Sequence, residues 1–174
     1  MAVFICEDER GSDNMNNSSL RNHPDNAGIK VPPPLIFAVP FATGLLLQHF
    51  FPVVILPATV KVIPALICVV TSAILGIWSL AWFVRSHTNP MPTKPSTIVV
   101  TSGPYRFSRN PMYVSLALLY IGLGFGLDIF WALILMPLVV ITIRYYVIAR
   151  EERYLERKFG VEYLRYKKSV RRWI

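Results

Sequence analysis

A largely apolar run of about 25 residues, 60–84, with Lys61 as its single charged residue, is the sequence feature that most restricts the fold. At 1.5 Å per residue, a helix of this length crosses the ~30 Å hydrocarbon core of a bilayer with some tilt. Elsewhere the apolar residues are also grouped in blocks rather than spaced periodically, and hydrophobic residues make up 53% of the chain. The sequence therefore predicts an all-α integral membrane protein rather than a soluble domain.

Proline, glycine and charged residues divide the apolar sequence into four predicted helical spans. The spans are residues 34–51, 60–84, 111–127 and 129–150, and they belong to one membrane domain, residues 34–174. Residues 1–33 form a polar tail rich in Asn, Ser and acidic residues, for which we expect disorder. Asp128 alone separates the third and fourth spans, so these two spans are expected to form a tight hairpin.

The distribution of charge predicts both a lipid partner and an orientation. Half of the 18 Lys and Arg residues lie at or after Arg150, next to a predicted span. Beside a membrane, anionic lipid headgroups are a simpler partner for these residues than nucleic acid. The loop after the second span is also basic, whereas the opposite turns carry only Lys61 and Asp128 as charged residues. The positive-inside rule therefore places both termini and this loop in the cytoplasm.

The C-terminal segment, residues 151–174, follows the last span. A charged helix is expected to continue from Glu151 to Phe159 and to end at Gly160. Beyond it, aromatic and apolar residues recur at three- and four-residue steps, at Tyr163, Tyr166, Val170 and Trp173. This spacing predicts an amphipathic interfacial helix that lies on the bilayer surface.

A polar stretch between the second and third spans, Gly103-Pro-Tyr-Arg-Phe-Ser-Arg-Asn-Pro-Met-Tyr113, is the first candidate for a functional site. Polar groups at the edge of a membrane need hydrogen-bonding partners. Composition alone is compatible with an interfacial loop that has aromatic anchors and lipid-binding arginines. The alternative is that this loop meets Glu151 and Glu152, which the charge-derived topology places on the same side of the membrane.

Glu151 and Glu152 are unusual in so basic a segment. Carboxylates at the C-terminal end of a helix are opposed by the helix dipole, which favours cations there. The two glutamates could pair with neighbouring basic residues on a solvated helix. Alternatively, one carboxylate faces the loop and accepts hydrogen bonds from the hydroxyl or amino groups of a ligand. The sequence leaves both alternatives open.

Arg144 lies within the fourth apolar block, seven residues before Glu151. Seven residues are close to two helical turns, so both side chains can share one face. An arginine within a span usually faces a cavity or a partner, but near the end of the span it can also extend to the interface. In the first case, Arg144 is the candidate catalytic residue that contacts a substrate.

Cysteine and histidine residues do not suggest a metal site or a nucleophile. Cys6 and Cys68 have neither the CxxC spacing nor the His spacing of metal ligands. His23, His49 and His87 have no nearby nucleophile in sequence. Any chemistry is therefore expected to depend on a cofactor and on the positioning of reactants.

Three motifs together indicate a family. They are Val100-Thr-Ser-Gly-Pro-Tyr-Arg-Phe-Ser-Arg-Asn-Pro-Met-Tyr113, the pair Glu151-Glu152, and Phe159-Gly160 followed by Tyr163, Tyr166 and Val170. The combination resembles the isoprenylcysteine carboxyl methyltransferase and phospholipid methyltransferase superfamily over residues 97–173. The preceding spans look like those of bacterial members.

This resemblance implies a methyltransferase of the bacterial inner membrane that uses S-adenosylmethionine and a lipid-like or prenylated acceptor entering from the bilayer. The cytosolic loop and the C-terminal helix would together form the cofactor pocket. Carried over by motif, the cofactor-binding residues would be Thr97, Ile98, Val99, Val100, Tyr105, Asn110, Pro111, Met112, Tyr113, Glu151 and Glu152.

The family pattern leaves the acceptor open. Carboxyl methyltransferases usually have His at the position of Asn110 and an acceptor-binding Arg at the position of Val147, whereas Asn-Pro-Met-Tyr is similar to phospholipid N-methyltransferases. A carboxylate acceptor, however, needs no general base, whereas an ammonium must first lose a proton. The main expectation is an isoprenylcysteine carboxyl methyltransferase-like enzyme, and the alternative is a phospholipid N-methyltransferase. A nicotinamide-dependent membrane reductase or a non-catalytic membrane protein would be functions of another class.

Overall fold

The computed structural model describes residues 28–54, 57–86 and 98–173, and every regular element in these ranges is helical. The elements are α1 (Pro33–Phe50), α2 (Ala58–Arg85), a 3₁₀ turn (Gly103–Arg106), α3 (Pro111–Gly126), α4 (Phe130–Thr142), a π-helical segment (Ile143–Ile148), α5 (Ala149–Phe159) and α6 (Val161–Ser169). The predicted all-α class is confirmed. Most of the predicted disordered tail, residues 1–27, lies outside the described residues.

Within the described ranges, three helices are long and apolar enough to cross a membrane. They are Pro33–Phe50, Thr59–Arg85 and the continuous helix Phe130–Phe159. The remaining apolar helix, α3, has 16 residues and a length of about 24 Å, which is shorter than the ~30 Å core. The described part of the chain therefore contains four apolar helices, of which α3 falls short of a full span by itself.

The helices pack in two pairs, with α2 along α3 and α1 along α4. Ser72 on α2 and Ser115 on α3 join the first pair. The Ser72 hydroxyl donates to the Ser115 carbonyl at 2.7 Å, and the Ser115 hydroxyl donates to the Ser72 carbonyl at 3.0 Å. Each hydroxyl thereby satisfies a buried carbonyl on the other helix, which fixes the register of α2 against α3.

Polar contacts also hold the end of the helices opposite the polar loop. Asp128 has a positive φ of 59° in the turn between α3 and α4. Its carboxylate pairs with Lys61 at 3.1 Å, which connects this turn to the start of α2. The Trp131 indole donates to the Phe51 carbonyl at 2.8 Å and connects α4 to the end of α1.

The aromatic stripe of α6 faces protein rather than lipid. Tyr163 and Tyr166 are buried beside Tyr105, and Val170 packs against them. The Tyr166 hydroxyl donates to the Tyr105 carbonyl at 2.8 Å. The three- and four-residue spacing thus identified a face of α6 that is buried. The sequence predicted that the bilayer covers this face, but in the structure the polar loop covers it.

Close contact between α1 and α4 depends on Gly44. A Cβ atom at this position would lie 2.6–2.8 Å from the backbone N, Cα and Cβ of Ala132. We predict that Gly44→Ala separates the two helices and lowers the free energy of unfolding by about 1–3 kcal/mol, as overpacking does in protein cores. Thermal unfolding in detergent measures this loss. Gly126→Ala is the matched control, since its Cβ would meet Ala65 at an ordinary 3.5 Å, and an equal loss in both variants would contradict the prediction.

Candidate functional site

A cavity of about 500 Å³ lies where the polar loop meets the helix bundle. The beginning of α1 forms one wall with Pro32, Pro33 and Pro34. Residues of α2 form the second wall, and the loop and the beginning of α3 form the third. Glu151, from the first turn of α5, completes the lining.

The third wall is built by the start of α3. Pro111 is the first residue of α3, and its fixed φ suits that position because no backbone N–H is needed there. The carbonyl of Asn110 accepts hydrogen bonds from the backbone N–H groups of Tyr113 and Val114, at 3.0 and 3.1 Å. This first turn carries Asn110, Pro111, Met112 and Tyr113 into the lining of the cavity.

A hydrogen bond closes the cavity between two distant parts of the sequence. The Tyr113 hydroxyl donates to Glu151 Oε1 at 2.7 Å, and both residues line the cavity. A bond from a neutral donor to a carboxylate is stronger than one between neutral groups. It leaves the second carboxylate oxygen of Glu151 for another donor, such as a ligand.

Glu152 points away from the cavity and binds basic residues. Its buried carboxylate accepts a bidentate pair of hydrogen bonds from Arg172, at 3.0 and 2.6 Å. Arg109 Nη1 lies 2.9 Å from Glu152 Oε1, and Lys167 Nζ lies 4.0 Å from Oε2. The hydrogen bonds to Glu152 raise the pKa of Arg172. Glu152 thus joins α5 to the loop and to the C-terminal residues.

The C-terminal residues hold the loop through its backbone as well. The Asn110 side-chain amide donates to the Arg172 carbonyl at 2.9 Å. The backbone N–H of Arg109 donates to the Arg171 carbonyl at 3.0 Å. Because Asn110 and Arg109 line the cavity, the C-terminal segment fixes the shape of the cavity wall from behind.

The structure brings together six of the predicted cofactor-binding residues. These residues all line the cavity: Tyr105, Asn110, Pro111, Met112, Tyr113 and Glu151. Val99 and Val100 pack behind Tyr105, whereas Ile98 is exposed. Thr97 lies outside the described residues, and Glu152 lies behind the wall. Burial raises the pKa of Tyr105, so its hydroxyl stays neutral at physiological pH.

Arg144 lies away from this cavity. Its side chain is exposed, and its guanidinium carbon lies 5.6 Å from the centre of the Tyr145 ring. The reason is the π-helical segment Ile143–Ile148, whose wider turns change the register of a helix relative to 3.6-residue periodicity. The seven-residue spacing therefore does not bring Arg144 and Glu151 to one site. Contact between Arg144 and a substrate stays a prediction.

Several lining residues are not among the residues carried over by motif. Arg109 is the most consequential, because it and Glu151 are the charged residues of the lining. The sequence held a signal for Arg109, because it directly precedes Asn110, a predicted cavity residue at the start of α3. A charged residue in that position is a natural candidate for the cavity lining. Pro32, Leu80 and Phe83 lack such a signal, because their place in the wall depends on how α1 and α2 pack. In the part of the chain that the structure describes, no group of His, Cys, Asp and Glu could hold a metal ion.

Removal of the Glu152 carboxylate should destabilise the protein. Glu152→Gln leaves two arginines without a counter-charge. We expect the free energy of unfolding to fall by about 3 kcal/mol. This is the lower end of the range for a broken buried ion pair, because water partly reaches Arg172. Thermal unfolding in detergent is the measurement. The control Glu156→Gln breaks a half-exposed pair with Lys167 and should cost about 1 kcal/mol or less. A smaller loss in Glu152→Gln than in the control would contradict this account of Glu152.

Comparison with known proteins places this site within a family. A model of the phospholipid methyltransferase family matches residues 60–162, which include nearly all of α2, the loop, α3 and both glutamates. A protein of Haemophilus influenzae described as uncharacterized is 46% identical over 65 residues, which cover 36% of this chain and 100% of that protein. No solved structure matches the chain. The family suggested by the loop and glutamate motifs is therefore confirmed: this chain belongs to the phospholipid methyltransferase family.

Proposed function

We propose that this membrane protein transfers a methyl group from S-adenosylmethionine to a lipid-like acceptor, and that both bind in the cavity between α2, α3 and Glu151. Membership of the phospholipid methyltransferase family supports methyl transfer in a membrane in general. The observation that carries the proposal is the Tyr113–Glu151 hydrogen bond, which assembles a cavity wall from two motifs 38 residues apart in sequence.

The lining of the cavity suits S-adenosylmethionine in size and chemistry. A volume of about 500 Å³ falls within the range of about 300–1,000 Å³ that is common for small-molecule sites. Phe83 and Leu116 offer apolar surface for an adenine ring. The Glu151 carboxylate offers acceptors for ribose hydroxyls or an amino group, and it balances positive charge. Tyr105 and Tyr113 offer aromatic rings, and a cation over such a ring gains roughly 0.5–2 kcal/mol.

S-adenosylmethionine, when bound, supplies an electrophilic methyl group on a sulfonium. The residues of the chain then have to position the acceptor atom in line with that methyl group and keep water out. Tyr113 holds Glu151 Oε1 by its hydroxyl, which orients the carboxylate. For an amine acceptor, Glu151 Oε2 would take the proton of the ammonium group. The neutral amine could then accept the methyl group and become a methylated ammonium, with the removed proton left on Glu151.

Two acceptor classes follow from the residues around the cavity. The Glu151 carboxylate favours an amine acceptor, such as the headgroup of phosphatidylethanolamine, because it can both attract an ammonium and remove its proton. Val147, at the position of the acceptor-binding arginine of carboxyl methyltransferases, is fully buried in the apolar core. A prenylated carboxylate would therefore need a different cation. Arg109 is the cation that the lining offers to such a carboxylate, but it does not explain the Glu151 carboxylate. We favour the phospholipid amine over the prenylated carboxylate because its ammonium group suits Glu151.

The proposed orientation places the cavity on the cytoplasmic side, where S-adenosylmethionine is available. The loop, Arg150 and the C-terminal residues lie at the same end of the bundle. Since these segments carry most of the basic residues, the positive-inside rule supports a cytoplasmic location for them, in the inner membrane of a bacterium.

We expect Glu151→Gln and Tyr113→Phe to weaken binding of S-adenosylmethionine. Glu151→Gln removes the carboxylate charge from the cavity, and Tyr113→Phe removes the hydroxyl that orients this carboxylate. Charged hydrogen bonds of this kind are worth about 1.5–3 kcal/mol, or roughly tenfold or more in affinity. Calorimetry in detergent measures the affinity. Tyr145→Phe is the matched control, because Tyr145 is 65% exposed and outside the lining. Unchanged affinity in both cavity variants would show that the cofactor binds elsewhere.

The reaction itself is tested with methyl-labelled S-adenosylmethionine. Purified protein is incubated with the labelled cofactor and either phosphatidylethanolamine or a farnesylated cysteine, and the lipid products are separated. We expect label in mono- and dimethylated phosphatidylethanolamine. Label in a base-labile ester of the farnesylated cysteine would move the acceptor to the carboxylate class. No label with either, nor with a total lipid extract, would contradict methyl transfer to lipids.

A further inference from the structure

Arg109 is a buried cation beside the cavity whose hydrogen bonds are incomplete. Its side chain is only 9% exposed, and it lines the cavity. Within the described residues, its Nε and Nη1 atoms are buried and have no hydrogen-bond partner. The 2.9 Å approach of Nη1 to Glu152 is thus a contact between charges that lacks the angle of a hydrogen bond. A buried guanidinium in this state is costly unless another acceptor completes it.

The surrounding charges leave this cation only partly compensated. Arg109, Arg172 and Lys167 all lie within 4.0 Å of the Glu152 carboxylate, and Lys167 also pairs with Glu156. Three cations therefore share two carboxylates. Arg172 and Lys167 are 30% and 35% exposed, so water can compensate part of their charge. The excess positive charge therefore falls most heavily on Arg109, which water reaches least.

Neutral neighbours cannot remove this excess. Burial, together with Glu152, raises the pKa of Tyr163 to about 12, although Arg109 acts against this rise. The Tyr163 hydroxyl therefore stays protonated and uncharged, so its side-chain hydrogen bond with Arg109 does not balance the charge of the guanidinium. Glu152, for its part, already forms a bidentate pair with Arg172. One carboxylate and one bidentate arginine balance each other in charge and in hydrogen bonds. The Glu152–Arg172 pair therefore does not need Arg109 as a further cation.

We propose that Arg109 is the anion-binding residue of the cavity, which receives a carboxylate or phosphate group of the ligand on its free N–H donors. This inference rests on the proposed function for the identity of the ligand. Two groups of the favoured ligands have the required chemistry: the amino-acid carboxylate of S-adenosylmethionine and the phosphate of a phospholipid acceptor. Arg109 and Glu151 then give the cavity one positive and one negative group, which matches the zwitterionic character of both ligands.

The test compares ligands that carry an anionic group with ligands that lack this group together with the ammonium next to it. S-adenosylhomocysteine carries the carboxylate and 5′-methylthioadenosine lacks it. Dihexanoyl phosphatidylethanolamine carries the phosphate and dihexanoylglycerol lacks it. Calorimetry in detergent gives the affinity of wild type and Arg109→Gln for all four. We expect Arg109→Gln to lose about tenfold or more in affinity for the anionic member of one pair, the size of a lost charged hydrogen bond, and to keep its affinity for the neutral member.

Arg106→Gln is the matched control, since Arg106 is an exposed arginine of the same loop outside the cavity lining. Its affinities should all equal those of wild type. Arg109→Lys, which keeps the charge but loses the planar donors, should recover part of the loss. Selective loss of S-adenosylhomocysteine assigns the anion to the methyl donor, and selective loss of the phospholipid assigns it to the acceptor.

Two results would overturn the role of Arg109. One is that Arg109→Gln keeps the affinity of wild type for both anionic ligands. The other is that it loses affinity equally for the two ligands of each pair, which is the result expected if Arg109 only stabilises the fold. The ratio of affinities within each pair is measured on one preparation, so it does not depend on the fraction of folded protein. If wild type bound neither adenosyl compound, the proposed function would fail, whereas the phospholipid pair would still report on Arg109.

Discussion

The buried carboxylate of Glu152 is the interaction on which the candidate site depends. It joins α5 to Arg109 in the loop and to Arg172 near the C-terminus. The backbone of Arg171 and Arg172 then holds the loop from behind, through hydrogen bonds from Arg109 and Asn110. Because polar groups beside a membrane must be satisfied within the protein, this set of contacts turns a polar loop into a fixed wall.

With that wall in place, the adjacent glutamate is free for a different task. Successive residues on a helix point about 100° apart, so Glu151 faces the cavity when Glu152 faces the basic residues. The Tyr113 hydroxyl orients the Glu151 carboxylate at 2.7 Å. Two neighbouring residues of the same type therefore have separate positions, one in the ion pairs that hold the loop and one in the lining of the cavity.

Sequence patterns predicted the elements better than the details of their packing. The apolar blocks, Pro111 and Gly160 located the helices, because length, a proline at a helix start and a left-handed glycine at a helix end act locally. The loop motif indicated five of the cavity residues, and the glutamate pair indicated a sixth. The π-helical turn that directs Arg144 outward, and the loop that covers the α6 tyrosines, arise from tertiary packing. Periodicity reports that a face is buried, not which partner covers it.

Hydrogen–deuterium exchange with and without S-adenosylhomocysteine, followed by mass spectrometry, tests most directly whether the loop, α3 and Glu151 form one ligand site. We predict slower exchange on ligand binding in two separate peptides, residues 103–116 and 148–153. The turn at residues 127–130, at the opposite end of the bundle, should exchange as before. Protection of only one of the two peptides, or of neither, would contradict a cavity shared by the two motifs.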